Sequence, residues 1–127
     1  MKFILKYLTI CLAGILFSCS KSNNNSTPHD CSITVQSANA PTDGSVSYLA
    51  DLSGSGTISK LIYRKNFNDT TILNPPIPYL IILPINSGEP IVYSGTGTTT
   101  GGTITLTYTY ISKDGSTTIK NTEACGN

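Results

Sequence analysis

The chain has no tryptophan, a single histidine (His29), and no cluster of basic residues beyond Arg64-Lys65. Each scarcity closes a class of function. A nucleic-acid footprint needs clustered Lys and Arg to displace counterions from phosphates, so nucleic acid is not an expected partner. One histidine cannot furnish a multi-histidine metal centre, and no Ser-His-Asp set, Walker loop or free cysteine nucleophile is present. Without an indole, the favoured platform for stacking sugars is missing. Gly54-x-Gly56 and Gly95-x-Gly97 are not phosphate loops, because no helix follows to offer its N-terminus. No catalytic residue and no cofactor is expected.

The long hydrophobic run of a membrane helix is absent too. Tyr7 to Phe17 is apolar apart from Thr9 and Gly14, too short for a span of about 20 residues, and it follows the basic start Met1-Lys2-Phe3-Ile4-Leu5-Lys6. That order is a signal peptide. It closes with Leu16-Phe17-Ser18-Cys19, which resembles the lipobox of bacterial lipoproteins and implies cleavage after residue 18 and acylation of Cys19. Residues 1–18 are then the signal peptide, and Cys11 leaves with it. The competing reading is a buried N-terminal helix or strand, for which a small polar remainder offers no groove.

Cleavage would leave 109 residues, the size of one domain. With Lys2 and Lys6 gone, six Lys/Arg face seven Asp/Glu, a net charge of about −1. Residues 19–30 form a polar tether without an apolar side chain suited to a core. Asn/Ser spacers of this kind resemble those of Bacteroidota lipoproteins. The acidic cluster that such lipoproteins carry when exported to the surface is missing from Ser20-Lys21-Ser22-Asn23, which implies the periplasmic face of the outer membrane.

Two cysteines remain, Cys31 where the domain begins and Cys125 near its end. In an oxidising envelope they are expected to pair. His29-Asp30-Cys31 gathers three possible metal ligands, but a flexible tether supplies neither a fourth ligand nor a fixed geometry, so no metal is expected. If successive strands alternate in direction, the pairing also requires an even number of strands.

The domain shows no useful helical period. It has short stretches rich in Val, Ile, Thr and Tyr, separated by Gly, Asn, Asp and Pro. This predicts a single Ig-like antiparallel β-sandwich over residues 31–127, with about eight short strands near 32–37, 45–52, 58–65, 69–73, 79–83, 90–94, 102–111 and 116–122. Val46, Tyr48, Ala50 and Leu52 share one face of their strand. Ile104, Leu106, Tyr108 and Tyr110 share a face of theirs, with Thr103, Thr105, Thr107 and Thr109 turned away. Turns are expected at Ser53-Gly54-Ser55-Gly56, Asn66 to Asp69 and Lys113-Asp114-Gly115. Asn74-Pro75-Pro76-Ile77-Pro78 lacks three backbone donors and should cross between sheets. Gly95 to Gly102 reads as the most flexible connection, an edge or a bulge.

From Ser45 onward the pattern resembles the soluble Ig-like domain of the mycobacterial small membrane proteins that assist lipid and siderophore export, and of related short lipoproteins of Bacteroidota. The likeness is carried by Val46-Ser47-Tyr48, Gly54-Ser55-Gly56 and Leu61-Ile62-Tyr63. Ile77-Pro78-Tyr79 stands where that family has Leu-Pro-Trp, and Gly102-Thr103-Ile104-Thr105-Leu106 matches its Gly-x-Ile-x-x strand. The chain departs from the family in having Tyr79 for the Trp, no cysteine in the penultimate strand, and a lipid anchor in place of a membrane helix. The resemblance implies a transport-accessory role.

The carboxylates Asp43, Asp51, Asp69, Glu89, Asp114 and Glu123 are scattered and read as solvated turn residues. Tyr48, Tyr108 and Tyr110 fall on apolar faces, whereas Tyr63, Tyr79 and Tyr93 are candidates for an exposed aromatic platform. Asp69-Thr70-Thr71 resembles the O-glycosylation pattern of Bacteroidota envelope proteins, with Thr70 as acceptor; an ordinary turn-to-strand step is the alternative. The expected function is a lipid-anchored envelope module that binds another envelope protein or a glycan without catalysis. Ile77 and Tyr79 are either its contact loop or a plug for one end of the sandwich. The alternatives are a small hydrolase built on two converging carboxylates and a structural or inhibitory module acting through a sheet edge.

Overall fold

The computed structural model describes residues 27–127, and among them there is no helix. Eight strands follow in order: β1 (His29–Thr34), β2 (Ala38–Asn39), β3 (Gly44–Lys65), β4 (Asn68–Leu73), β5 (Tyr79–Ile85), β6 (Pro90–Ile91), β7 (Tyr93–Ser112) and β8 (Thr118–Gly126). All pairings are antiparallel, and the architecture is the expected all-β sandwich. The signal peptide, the lipobox and Cys19 lie outside the described residues. Strand pairing begins at His29, two residues inside the stretch read as tether.

The strands are not uniformly short. β3 has 22 residues and β7 has 20, and the two pair along almost their whole length. One half of the sheet runs β5–β3–β7–β8 and uses the first part of β3 and the last part of β7. The other runs β4–β3–β7–β1 and uses their remaining parts. The sheet folds at the crease between these parts, and the two halves enclose one core.

One expected turn is therefore absent. Ser53 to Gly56 does not reverse the chain; β3 continues through it with register shifts between Gly54 and Gly56 and between Ile58 and Lys60. Bulges of this kind sharpen bend and twist without ending a strand. Gly54 and Gly101 sit at the crease with φ of 73° and 79°, a region that side chains with a Cβ avoid. Gly95 to Gly102 is likewise no loose connection. Its first part is a central strand segment, paired with β1 on one side and β3 on the other.

The glycines of that segment make room. A Cβ on Gly95 would meet Leu106 Cδ1 at 3.1 Å, and one on Gly97 would meet Ile104 Cδ1 at 2.7 Å. Both side chains reach across from the other half of the same strand. Near the crease the halves converge, so only glycine and small residues fit between them, and side-chain size increases away from it. Tyr48, Tyr93, Tyr108 and Tyr110 are fully buried there.

The alternating faces are as read from the sequence: Val46, Tyr48, Ala50, Ile104, Leu106, Tyr108 and Tyr110 are all buried, with Leu52 half-buried. Cys31 and Cys125 form a disulfide with Cα atoms 5.8 Å apart. It joins β1 to β8, the edges of the two halves on one side. The parity of alternating hairpins is not the reason they meet, since fusion of strands replaces those hairpins; β1 and β8 come together because both pair with β7, which folds at its middle. As expected, residues 74–78 carry the chain from one half to the other, between β4 and β5. Asn66-Phe67 closes the β3–β4 hairpin with both residues at positive φ, and Gly115, also at positive φ, lies in the β7–β8 turn.

Candidate functional site

The end of the sandwich farthest from the crease is closed by polar loops. Tyrosine hydroxyls from the core reach out to carbonyl oxygens there: Tyr108 donates to Gln36 (2.8 Å), Tyr110 to Thr42 (2.8 Å) and Tyr48 to Arg64 (3.1 Å). Each ring fills the core while its hydroxyl satisfies a backbone carbonyl at this end. The small β2–β6 pairing packs across this end, extended by Ala40 N–H donating to the Glu89 carbonyl and Gly88 N–H to that of Ala40.

Glu89 is not the solvated turn residue the sequence suggests: it is 1% exposed. Its two carboxylate oxygens accept from Phe67 N–H (3.1 Å) and Asn86 N–H (3.2 Å). The carboxylate thus ties two turns together, one of them the hairpin with positive φ at Phe67. No period or spacing marks this role, because the donors come from backbone that is distant in sequence.

Beside this clamp an open groove of about 730 Å³ lies between Asp43, Pro84, Asn86, Ile111 and Lys113, and a second hollow of about 620 Å³ continues it past Thr42 and Ser87. Asp43 and Asp114 border both. Asp43 Oδ1 accepts from Ser87 N–H at 2.8 Å. Asp114 Oδ1 accepts from the hydroxyls of Ser112 (2.7 Å) and Ser116 (2.8 Å) and from Ser116 N–H (3.0 Å). Those donors, the Ser112 hydroxyl first, pull the Asp114 carboxyl down to about 2. An acid so depressed remains an acceptor at neutral pH and holds no proton to give.

The aromatic platform does not form. Tyr63 and Tyr93 are buried, with the Tyr48 ring 5.2 Å from one and 5.1 Å from the other. Desolvation pushes the Tyr48 and Tyr93 phenols above their ordinary range, and the Tyr93 hydroxyl has no hydrogen-bond partner among the described residues. Ile77 and Tyr79 are half-buried and pack against the core, and Pro75 behind them is buried. Thr70 lies on β4 opposite Tyr63, half-buried on the inward face.

His29 lies next to the disulfide, its ring nitrogen within 4.8 Å of both sulfurs. Those sulfurs are bonded to each other, and a disulfide sulfur lacks the thiolate charge that holds zinc. Asp69 pairs instead with Arg64 (2.7 Å), whose guanidinium lowers its carboxyl below the usual range.

No protein-family profile, curated protein or solved structure matches the chain. The likeness to the small mycobacterial membrane proteins rests on the motifs quoted for it.

Proposed function

We propose that this chain is a lipid-anchored envelope module that binds another envelope component through the end groove and performs no catalysis. The observation that carries the reading is the groove between Asp43, Ile111, Lys113 and Asp114. It combines an apolar pad, one cation and two oriented carboxylates on a rigid sandwich end. Such a mixture suits a ligand with alternating polar and apolar surface, a glycan or an extended protein segment.

The carboxylates argue for binding over hydrolysis. Glycoside hydrolysis by an acid pair needs one carboxyl with a raised pKa. Asp114 goes the other way, and Glu89 is engaged by backbone at both oxygens. The lipobox ending at Cys19, together with a disulfide bracketing the domain, supports an oxidising compartment and a membrane address, on the periplasmic face of the outer membrane. A transport-accessory role follows from the family resemblance and is part of the proposal.

A photo-crosslinking amino acid at Ile111, on the groove, is compared in cells with one at Thr107, on the same strand and outside it. Adducts from position 111 alone are expected; equal labelling at both, or none, refutes groove binding. Cys19→Ala should leave a slower-migrating, uncleaved precursor that takes up no fatty-acid label, and unchanged processing would sink the anchor.

A further inference from the structure

The side of the sandwich opposite the disulfide is open. β4 and β5 are its edges, and each touches only β3 among the other strands. β5 is unusual for an exposed edge. No charged residue occurs between Asp69 and Glu89, and Leu80 and Ile82 are 58% and 65% exposed. Natural sheets blunt such edges with charges, bulges or proline.

The direction of the free backbone groups can be deduced. Lys113 N–H donates to the Asp43 carbonyl, so odd-numbered β3 residues of this half bond to β7 and even-numbered ones to β5. Gly44, Val46, Tyr48 and Ala50 face Ile85, Leu83, Ile81 and Tyr79. Odd-numbered β5 residues are thereby bonded inward, and the even-numbered ones point to open solvent. Those are Leu80, Ile82 and Pro84, with Pro78 just before the strand.

This pattern is symmetric about Ile81. The two residues with free N–H and C=O groups lie one position either side of it, and the two prolines lie three positions either side. We propose that β5 pairs with β5 of a second copy, antiparallel, with Ile81 on the two-fold axis. Leu80 then exchanges both backbone bonds with Ile82 of the other copy, and Ile82 with its Leu80. Pro78 falls opposite Pro84, so no ladder donor is left facing another donor. Any other register sets Leu80 or Ile82 against a proline or a non-matching group.

The side chains agree. Leu80 and Ile82 share the outer face with Leu49, which lies beside Leu80 in the register. Two-fold pairing places the same three aliphatics of the second copy next to them, without a like-charge contact. It joins the two β5–β3–β7–β8 halves into one layer and occupies the β5 edge of each, so this two-fold contact closes as a dimer and does not propagate into a fibre. The inference does not depend on what the groove binds.

Sedimentation of the full chain tests it, with three variants. The unaltered chain should show a concentration-dependent monomer–dimer equilibrium. Leu80→Lys with Ile82→Lys should weaken self-association roughly tenfold or more with an unchanged melting curve, because both side chains are exposed. Ile82→Pro, which removes an N–H that the monomer's own sheet does not use, should do the same. Ile81→Cys should give, under mild oxidation, a peptide pair linked 81 to 81. A chain that stays monomeric, a dimer indifferent to the lysines, or a dimer without the 81–81 link overturns the proposal. A monomer whose β5 captures only a strand of a different protein overturns the choice of partner.

Discussion

Replacing Cys31 and Cys125 together with alanine removes the covalent cross-link between β1 and β8, the edges of the two halves on one side. The cysteines are 94 residues apart in sequence, so the link closes nearly the whole domain into one loop. In the chain-entropy model a loop of that size restricts the unfolded chain by about 4–5 kcal/mol. Domains of this size are stable by roughly 5–15 kcal/mol in total, so about a quarter or more of the stability should go. The position sharpens the expectation. β1 and β8 meet only on the stapled side, and on the other side β4 and β5 do not touch. With the staple gone, β1 is held by its ladder to β7 and by Ile33 and the adjoining Val35 in the core. Urea denaturation of the unaltered and doubly substituted chains should show a loss of about 3–5 kcal/mol, a steeper dependence on urea because the unlinked chain expands further, and early amide exchange in β1. A loss below about 1 kcal/mol, with β1 exchange unchanged, would refute the reasoning: the unfolded chain would then be compact without the link.

Gly97→Val should be more damaging than its exposure to neighbours in sequence suggests, since the new side chain meets Ile104 Cδ1, Ile58 Cα and the Thr57 carbonyl oxygen; a loss of about 2–3 kcal/mol is expected by thermal melting, and a neutral outcome would mean the crease can open. Glu89→Ala leaves the N–H groups of Phe67 and Asn86 without their acceptor and should cost about 2–4 kcal/mol in the same assay, whereas a solvated Glu would cost almost nothing. Tyr93→Phe removes a buried hydroxyl that has no partner, so stability should stay level or rise; a loss above about 1 kcal/mol would show that the hydroxyl is engaged. Asp114 has a folded pKa of about 2 against an ordinary 3.8, so the unfolded chain takes the proton first; its contribution, present above the ordinary value, should fade as pH falls from near 4 toward 2. Asp114→Asn should flatten that part of the acid-stability curve, and an unaltered curve would contradict the bonds drawn to Ser112 and Ser116.

The identity of the two best strands was legible in the chain because alternation is local. Val46 to Leu52 and Ile104 to Tyr110 each place apolar side chains at every second position, and a strand obeying that period has one buried face whatever its neighbours are. The even-handed reading of Gly as a turn signal failed for a physical reason: a glycine satisfies both the need for positive φ and the need for space, and sequence does not say which. At Gly115 the first need rules and the chain turns. At Gly95 and Gly97 the second rules, because Leu106 and Ile104 come over from the far half of their own strand, a meeting of residues that exists only once the sheet has folded. Disulfide partners could be named from the sequence because only Cys31 and Cys125 follow residue 19. Glu89, Tyr63 and Tyr93 could not be placed, since their burial depends on backbone N–H groups and rings brought from elsewhere by the crease. The sequence by itself determined an all-β domain, its most regular strands and its cysteine pair, all of which follow from local period and composition. Tertiary structure alone decided that two of the expected strands are one and that another runs back through Gly95 to Gly102, that one side is stapled and the other open, and that Asp43, Ile111 and Asp114 share a groove, because each depends on where a long strand bends.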